Sequence, residues 1–348
     1  MATPEPTSAR TVDAVRAVDG GGGATMRAAV ADRFGPPEVV RLADVPRPHA
    51  AAGEVLVHVR AASVSIADHR VRSRDVPRSL SLLVAPTLGL FRPRVRVAGM
   101  DGAGVVESVG EGVEGFAAGD AVMFLRGDAF GSHAEYVTMP ADGAIARVPD
   151  GWSLEDAAAL VFGGATALSF LARARIGAGT EVLVNGASGA VGTAAVQLAA
   201  HRGARVTAVT SARNAELVRS LGADRVVDYA TEDFAAAGER YDVVVECVGN
   251  APFARVAPLI RPGGALLLVI TGLGGMLAAG LRSRRSGVQV TASGVGVGRE
   301  GMRRLAALAE EGAIRPVIDR TYDLDEIVEA HRYVDTGRKR GAVMLRIG

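Results

Sequence analysis

The chain has 348 residues, which is longer than one ordinary hydrophobic core needs and indicates two domains. Its 39 basic and 38 acidic residues leave a formal net charge of only +1, which excludes a protein that binds nucleic acid through a strongly basic surface. The single cysteine, Cys247, excludes a disulfide within the chain and a zinc site built from cysteines, and it is consistent with a cytoplasmic protein.

Residues 1–25 carry two prolines and a run of four glycines, but they lack the apolar core that a secretory signal needs. We predict a disordered leader over this range, because it offers little apolar surface to bury. No apolar run reaches the length of a bilayer span, so we expect no membrane partner.

Folded sequence is predicted from residue 26 onward. Short apolar runs rich in Val and Gly continue to residue 150, separated by turn signals such as Gly-Pro-Pro at 35–37, and they indicate a compact β-rich domain. Residues 75–97 break this pattern, because three prolines interrupt an apolar sequence. We predict a long loop or a broken helix there, and long loops of this kind often act as lids.

Beyond residue 150, apolar runs alternate with helical patterns. The runs are apolar throughout, as expected for parallel strands that are covered on both faces. Six such strands with intervening helices predict an α/β fold with a doubly wound, six-stranded parallel sheet of the Rossmann type over residues 151–314. Residues 315–348 are predicted to return to the first domain. The six predicted strands are 181–184, 205–209, 225–227, 242–246, 265–270 and 288–291.

The strongest local motif is the turn after the first of these strands, where Gly186, Gly189 and Gly192 precede an amphipathic helix. Glycines let the backbone approach a pyrophosphate closely, and the helix N-terminus offers free N–H groups. The spacing Gly-x-x-Gly-x-x-Gly differs from the strict dinucleotide fingerprint, and a tight turn without a ligand is the plainer alternative. A nucleophile elbow, Gly-x-Ser-x-Gly, would use Ser188, but Ala190 stands at its fifth position.

The end of the second strand favours NADP(H) over NAD(H). An NAD site usually places an acidic residue about 20 residues beyond the glycine-rich turn, on the ribose hydroxyls. Here Thr210, Ser211 and Arg213 occupy this region, and the first acid, Glu216, lies inside the next predicted helix. Hydroxyls and a guanidinium are the donors that a 2′-phosphate needs. We therefore predict NADP(H) as the cofactor.

With these motifs, the chain resembles the medium-chain dehydrogenase/reductase superfamily, in its zinc-independent, zeta-crystallin-like quinone oxidoreductase branch. The resemblance extends from Met26 to Gly348. It implies a GroES-like β-rich catalytic domain, formed by residues 26–150 and 315–348, with the active site in the cleft beside the Rossmann domain. The segments that carry it are Ala-Ser-Val-Ser-Ile-Ala-Asp at 62–68, Gly-Met-Asp-Gly-Ala-Gly at 99–104, 119–120, 134–137, 186–192, 218–224, 247–249, 261–264, 316–319 and 340–341.

The resemblance also implies the residues of the cofactor site. Ala190 and Val191 would contact the pyrophosphate. Ser211, Arg213 and Tyr229 would hold the 2′-phosphate. Thr166 and the segment 247–249 would face the nicotinamide ribose and ring. The full set is Thr166, Gly186, Ser188, Gly189, Ala190, Val191, Gly192, Ser211, Arg213, Tyr229, Cys247, Val248, Gly249 and Ile270.

Three residues of the first cleft loop, Ser65, Asp68 and His69, are the candidate catalytic residues. Asp68 stands at the family's acidic position near the substrate cleft. Ser65 replaces a usual Asn, and His69 replaces a frequent Tyr or Trp. Ala342 stands where a Lys or another polar residue is common near the C-terminus, so the substrate pocket is expected to be unusual. Histidine ordinarily exchanges protons near neutral pH, which makes His69 the candidate proton donor, although a partly exposed loop histidine is the plainer interpretation.

The zinc ligands of zinc-dependent relatives are not found in this sequence. Those relatives have a Cys on the first cleft loop and a Gly-His-Glu segment, which together bind a metal that polarises oxygen. This chain has Ser65 on the loop and Gly-Met-Asp at 99–101, and its six histidines form no His-x-x-x-His pair. We therefore predict neither catalytic nor structural zinc.

Without a metal, alcohol oxidation lacks its Lewis acid, whereas hydride transfer to a quinone or an activated C=C bond mainly needs donor and acceptor held in contact. We predict an NADPH-dependent reductase of quinones or α,β-unsaturated carbonyls that forms a homodimer through the edge strand at 288–291. Two alternatives stay open. One is a biosynthetic reductase of a bulky natural product, whose pocket the apolar stretches 80–91 and 273–281 would cover. The other is an NADPH-binding protein without significant catalysis.

Overall fold

The structure, a computed structural model, describes residues 23–74, 89, 91–236, 238–271 and 273–348. Nearly all of the predicted leader, most of the predicted loop over 75–97 and most of the apolar stretch 80–91 lie outside the described residues.

The described chain begins and ends in strands, and most of its helices lie between consecutive strands. The strands are β1 (Thr25–Ala31), β2 (Val40–Pro46), β3 (Glu54–Ser63), β4 (Asp101–Val109), β5 (Ala121–Leu125), β6 (Tyr136–Pro140), β7 (Ile145–Arg147), β8 (Glu181–Asn185), β9 (Arg205–Thr210), β10 (Arg225–Asp228), β11 (Tyr241–Glu246), β12 (Ile260–Leu268), β13 (Gln289–Thr291), β14 (Ile318–Asp323) and β15 (Ala342–Arg346). The helices are α1 (Ile66–Ser73), α2 (Leu154–Leu171), α3 (Ala190–His201), α4 (Ala215–Ser220), α5 (Phe253–Val256), α6 (Leu273–Ser286), α7 (Arg299–Glu310) and α8 (Ile327–Asp335).

One sheet combines strands that are far apart in the chain. Its order is β14-β15-β3-β4-β5-β7, and β6 also pairs with β3. Strand β15 lies between β14, to which it is parallel, and β3, to which it is antiparallel. The alternate residues Val55, Val57 and Val59 of β3 are fully buried in a core that includes residues of α8 and β15. Residues 318–346 therefore complete the sheet that the first 150 residues begin.

The second sheet is parallel throughout, in the order β10-β9-β8-β11-β12-β13. The strand order reverses between β8 and β11, and this is the switch point at which open α/β sheets bind ligands. Consecutive valines of β11 and leucines of β12 are buried, because helices cover both faces. The predicted fold class, a β-rich domain with a six-stranded Rossmann sheet, is confirmed.

Helix α2 packs against both the first sheet and the Rossmann helices α3 and α7. It begins after Ser153, whose Oγ accepts a hydrogen bond of 3.0 Å from the backbone N–H of Asp156. By length and composition its 18 residues could cross a membrane, which corrects the expectation that no apolar run is long enough. However, 67% of this window is buried inside the protein, as in a core helix.

Candidate functional site: the cofactor turn and the adjoining cleft

The glycine-rich turn connects β8 to α3 at the switch point of the sheet. Gly186 has φ +79°, a left-handed conformation that favours glycine. A Cβ atom on Gly192 would lie 2.1 Å from the carbonyl oxygen of Gly186, so only glycine allows the helix to start this close to the turn. The N-cap of α3, Gly189, makes no side-chain cap bond, which leaves the first N–H groups of the helix available to an anion.

Ser188 is held in the turn by residues from the end of β9. Its Oγ accepts hydrogen bonds from Thr210 Oγ1 at 2.9 Å and from Asn214 Nδ2 at 3.0 Å. Ser211 follows directly, and its Oγ lies 3.3 Å from the same amide nitrogen. Asn214 was not among the predicted site residues, because its contact with Ser188 exists only when β8 and β9 are adjacent in the sheet.

The predicted 2′-phosphate residues line one side of the turn. Arg213 is exposed and donates to the backbone oxygen of Arg338 over 3.0 Å. Tyr229 is 65% exposed, and its backbone N–H donates to Thr210. The side chains of both residues are therefore accessible beside Ser211, where hydrogen-bond donors for a phosphate are needed.

The loop between α8 and β15 lies directly on the glycine-rich turn. The backbone N–H of Gly341 donates to the carbonyl oxygen of Ser188 over 2.8 Å. The ammonium of Lys339 donates to the carbonyl oxygen of Gly341 over 2.7 Å. Burial lowers the pKa of Lys339 to about 8, while the charges of Asp319 and Asp101 act in the opposite direction. Nothing in the local sequence distinguishes Lys339 from its charged neighbours Arg338 and Arg340, because the enclosure of its amine depends on the fold.

A buried carboxylate fixes the segment that follows β11. Glu246 is 1% exposed, and its Oε1 accepts hydrogen bonds from the backbone N–H groups of Val248 at 2.6 Å and Gly249 at 2.8 Å. Its Oε2 accepts from Asn185 Nδ2 at 2.9 Å, which connects the ends of β8 and β11. Burial, with Glu246 nearby, raises the pKa of the Cys247 thiol, so this cysteine is a packing residue rather than a nucleophile.

Two further predicted cofactor residues are Ile270, which lies beside this segment, and Thr166, which lies in α2. A Cβ on Gly249, which has φ +93°, would lie 3.1 Å from Ile270 Cγ2, so the two residues are in close contact. Val248 is 46% exposed. A Cβ atom on Gly186 would lie 2.7 Å from Val248 Cγ2, so Val248 packs against the glycine-rich turn. Thr166 is half-buried in α2, one turn beyond Gly163, whose Cβ would lie 2.3 Å from the oxygen of Ala190.

Ser65 and Asp68 of the first cleft loop form a capping box at the start of α1. Ser65 Oγ donates to Asp68 Oδ2 over 2.6 Å and lies 3.2–3.3 Å from the N–H groups of Ala67 and Asp68, while the backbone N–H of Ser65 donates to Asp68 Oδ2 over 2.8 Å. The other carboxylate oxygen, Oδ1, accepts from the N–H of Gly99 at 3.0 Å. These bonds hold the loop against the segment before β4.

His69 lies on the side of α1 that faces α8. Its Nδ1 is 2.6 Å from Asp335 Oδ1, and the Arg72 guanidinium contacts both carboxylate oxygens of Asp335 at 2.6 Å. The side chains of His69 and Asp335 remain 20% and 25% exposed. The structure thus connects His69 to an ion pair that is open to solvent.

The residues at the family's zinc positions do not fit zinc. Ser65 Oγ is used by the cap of α1, Met100 offers no nitrogen or thiolate, and Asp101 Oδ1 accepts a hydrogen bond of 2.7 Å from Ser63 Oγ. Zinc prefers a set of three or four Cys, His or carboxylate ligands. Across residues 23–74, 89, 91–236, 238–271 and 273–348, no group of three such side chains could hold a metal ion.

A parallel sheet with a glycine-rich turn at its switch point, joined to a β-rich domain, defines a two-domain dinucleotide-dependent oxidoreductase. Comparison with protein families agrees: residues 51–150 match the family model "Alcohol dehydrogenase GroES-like domain", and residues 221–345 match "Zinc-binding dehydrogenase". The chain belongs to the medium-chain dehydrogenase/reductase superfamily, among the quinone oxidoreductases and enone reductases, as predicted.

Named relatives support this assignment. The 2-methylene-furan-3-one reductase of Solanum lycopersicum is 31% identical over 328 residues, which cover 90% of this chain and 76% of the relative. The NADPH-dependent alkenal/one oxidoreductase of Arabidopsis thaliana is 30% identical over 332 residues, or 92% and 79% of the two chains. The quinone oxidoreductase structure from Coxiella burnetii has a TM-score of 0.82 at 29% identity and covers 93% of this chain and 100% of that one.

Proposed function

We propose that this oxidoreductase uses NADPH, without zinc, to reduce a quinone or the activated C=C bond of an α,β-unsaturated carbonyl compound. The observation that carries the cofactor preference is the end of β9. Ser211 and the exposed Arg213 stand beside the glycine-rich turn, and β9 ends at Thr210 without the acidic residue that usually binds the ribose hydroxyls of NAD.

The glycine-rich turn and the segments around it are the parts that would hold the cofactor. The N–H groups at the start of α3, which no side chain caps, suit a pyrophosphate. Arg213, Ser211 and Tyr229 supply donors for a 2′-phosphate, and the segment 247–249, fixed by Glu246, would face the nicotinamide end. When bound, the cofactor supplies hydride, and the protein's task is to hold an acceptor in contact with it and to exclude water.

Zinc independence is supported by the donor set described above. A conjugated acceptor spreads the negative charge that hydride transfer creates, so a Lewis acid is less necessary than it is for alcohol oxidation. The relatives named for alkenal/one and furanone reduction support this substrate class by their names alone.

A homodimer is part of the same proposal. Strand β13 is an edge of the Rossmann sheet, and unpaired edges favour pairing with another strand. Helix α6 packs beside it, through Ser283 Oγ and Val290, and exposes Met276, Leu277 and Leu281 by 48%, 74% and 52%. A second copy would cover this apolar surface. The single cysteine, which is not paired in a disulfide, supports a reducing compartment such as the cytoplasm.

The decisive experiment compares binding of NADPH and NADH to the purified protein and then follows NADPH oxidation at ~340 nm, the absorbance of the reduced nicotinamide ring, after addition of a quinone or an enone. We expect tighter binding of NADPH and oxidation by at least one acceptor. Equal affinity for both nucleotides would overturn the cofactor preference. Tight NADPH binding without oxidation by any acceptor would favour a binding protein or a reductase of a bulky substrate.

A further inference from the structure

A cavity of about 610 Å³ lies outside the cofactor site, at the far end of the two helices that meet beside the glycine-rich turn. Gly163 of α2 packs against the first residue of α3, whereas Arg202, directly after α3, contacts the carbonyl oxygen of Leu171, the last residue of α2. The two helices therefore extend side by side from the turn to the cavity. The 12 residues of α3 span roughly 18 Å at ~1.5 Å per residue, which separates the cavity from the proposed cofactor site.

The walls of the cavity are mostly apolar. Branched aliphatic side chains come from the C-terminal halves of α2 and α3, from α7, and from the loops that follow α2 and β13. Part of this apolar surface is open to solvent, since Val295 is 39% exposed. Ligand pockets in proteins have volumes of about 300–1,000 Å³ and apolar walls with a few polar groups, and this cavity has that size and those walls. The large apolar residues of the lining are Leu168, Ile176, Leu198, Val295, Val297 and Leu308.

One wall of the cavity, the loop between β13 and α7, is fixed to α2. The backbone N–H of Val295 donates to the carbonyl oxygen of Ser169 over 3.1 Å, and the hydroxyl of Ser169 donates to the carbonyl oxygen of Val295. The guanidinium of Arg173 donates to the carbonyl oxygen of Gly294 over 3.1 Å. Because these contacts hold the wall without a ligand, the cavity is a preformed one, as most small-molecule sites are.

Two guanidinium groups, those of Arg202 and Arg304, line the same cavity. Arg202 is half-buried, and among the described residues no carboxylate pairs with it; its hydrogen bond to Leu171 is long, at 3.4 Å. Burial lowers the pKa of Arg202, and the charge of Arg304 acts in the same direction because the two cations repel each other. Arg304 donates to Glu311 over 3.2 Å, and that carboxylate also lies 4.0 Å from His201 in the lining. The lining therefore keeps an excess of positive charge.

We propose that this cavity is a binding site for an organic anion with an apolar body, such as a medium-chain carboxylate. The carboxylate lies between Arg202 and Arg304, where it offsets the repulsion of the two cations and gives the half-buried guanidinium a partner. The hydrocarbon chain covers the apolar walls and removes their surface from water. An inorganic anion would leave those walls wet, and a neutral hydrocarbon would leave the arginines unpartnered. Binding here depends on neither the cofactor nor the acceptor proposed above.

Isothermal titration of the full-length protein with decanoate, a straight-chain carboxylate, tests the charged part of the site. We expect saturable binding with the same affinity in the presence and absence of NADPH. Decanamide, the uncharged counterpart, should bind at least roughly tenfold more weakly, because a charge-assisted hydrogen bond is lost. Arg202→Gln and Arg304→Gln should each weaken decanoate binding by a similar factor. Arg303→Gln, at an exposed neighbour in α7 that does not line the cavity, is the matched control and should bind decanoate as the wild type does.

Ala172→Trp tests the apolar part of the site. Ala172 stands at an exposed position directly after α2 and lines the cavity, so an indole there fills the space and should abolish decanoate binding. Ala118→Trp, at an exposed loop position outside the cavity, is the control for the added ring. Urea unfolding of each variant shows whether it is folded.

Two results would overturn the proposal. One is the absence of saturable decanoate binding by the wild type, and a change of oligomeric state in Ala172→Trp would then show that a second copy of the chain covers the cavity. The other is decanoate binding that competes with NADPH, or that the two arginine variants and Ala172→Trp leave unchanged, because decanoate then lies elsewhere. Wild-type protein that binds decanoate as expected but oxidises no NADPH would contradict only the proposed function.

Discussion

The backbone N–H of Gly341 donates a hydrogen bond of 2.8 Å to the carbonyl oxygen of Ser188. The loop before β15 therefore supports the turn that begins α3. Gly341 has φ +63°, and a Cβ there would lie 2.0 Å from the carbonyl oxygen of Val317. The contact connects the two domains at the point where the cofactor is expected to bind.

Substitution of Gly341 by alanine should therefore weaken NADPH binding. The new Cβ forces the loop away from Val317 and removes the support of Ser188, and loss of one such backbone bond corresponds to roughly a fivefold to tenfold weaker affinity. Gly337→Ala is the matched control, because Gly337 has a similar φ of +65° but nothing within 4 Å of its Cβ position. Fluorescence titration with NADPH measures both variants. Equal affinities would show that the loop does not support the turn.

Arg213→Ala should reduce affinity for NADPH by roughly tenfold and leave affinity for NADH unchanged, because a charge-assisted hydrogen bond to the 2′-phosphate is lost. The control is Arg219→Ala, at another exposed arginine, which lies in α4. Isothermal titration with both nucleotides separates the two effects. A parallel loss for NADPH and NADH would indicate that Arg213 acts through its bond to Arg338 and not through a phosphate.

The stability of the protein should fall as the pH drops from 7 to 5, partly because of His331. Its pKa is lowered by burial in the folded state, so below about 6.5 the unfolded chain binds a proton that the folded chain does not. The stabilisation is complete above that pH and is lost toward the lowered pKa, at about 1.4 kcal/mol per pH unit for one proton. Urea unfolding across this range should give a flatter pH dependence for His331→Gln than for the wild type. Identical slopes would show that His331 does not titrate in this way.

Ser65→Ala should lower the free energy of unfolding by about 1 kcal/mol, the usual effect of removing a helix N-cap. The substitution removes the hydroxyl that connects Asp68 and the first N–H groups of α1. Ser108→Ala, at an exposed position of β4, serves as the control. Denaturant titration measures both, and an undiminished stability together with a large loss of kcat would instead support a direct role of Ser65 in catalysis.

The Rossmann sheet and the glycine-rich turn could be predicted because their signals are local. Continuous apolar runs separated by helical patterns indicated six strands, and all six are present within the described residues. The least accurate boundary was that of β12, which begins at Ile260 rather than at 265. The sequence Arg-Pro-Gly-Gly at 261–264 interrupts the apolar run, and the strand continues through it with a register shift against β11 and a positive φ of +78° at Gly263.

The polar contacts around the site could not be predicted, since they depend on which buried groups the fold brings together. Glu246 and Asn185 are 61 residues apart, and Ser63 and Asp101 are 38 apart. Each side chain is unremarkable in its own segment, and only the adjacency of strands gives it a partner. The assignment of Ser65, Asp68 and His69 as catalytic residues stays a prediction, while the structure places the first two in a capping box and the third beside Asp335.

The position of β15 also determines the order in which the two domains can be completed during synthesis. The strands of the Rossmann sheet are contiguous in the chain, from Glu181 to Thr291, and can pair as they leave the ribosome. Strand β3 pairs its residues Ala61–Ser63 with Met344–Arg346, so that part of its edge stays unpaired until nearly the whole chain has been made. Such an edge is prone to pair with other chains. Nascent protein is therefore most vulnerable to aggregation just before the cleft forms, and cofactor bound to the finished Rossmann domain would be in place before the catalytic sheet closes beside it.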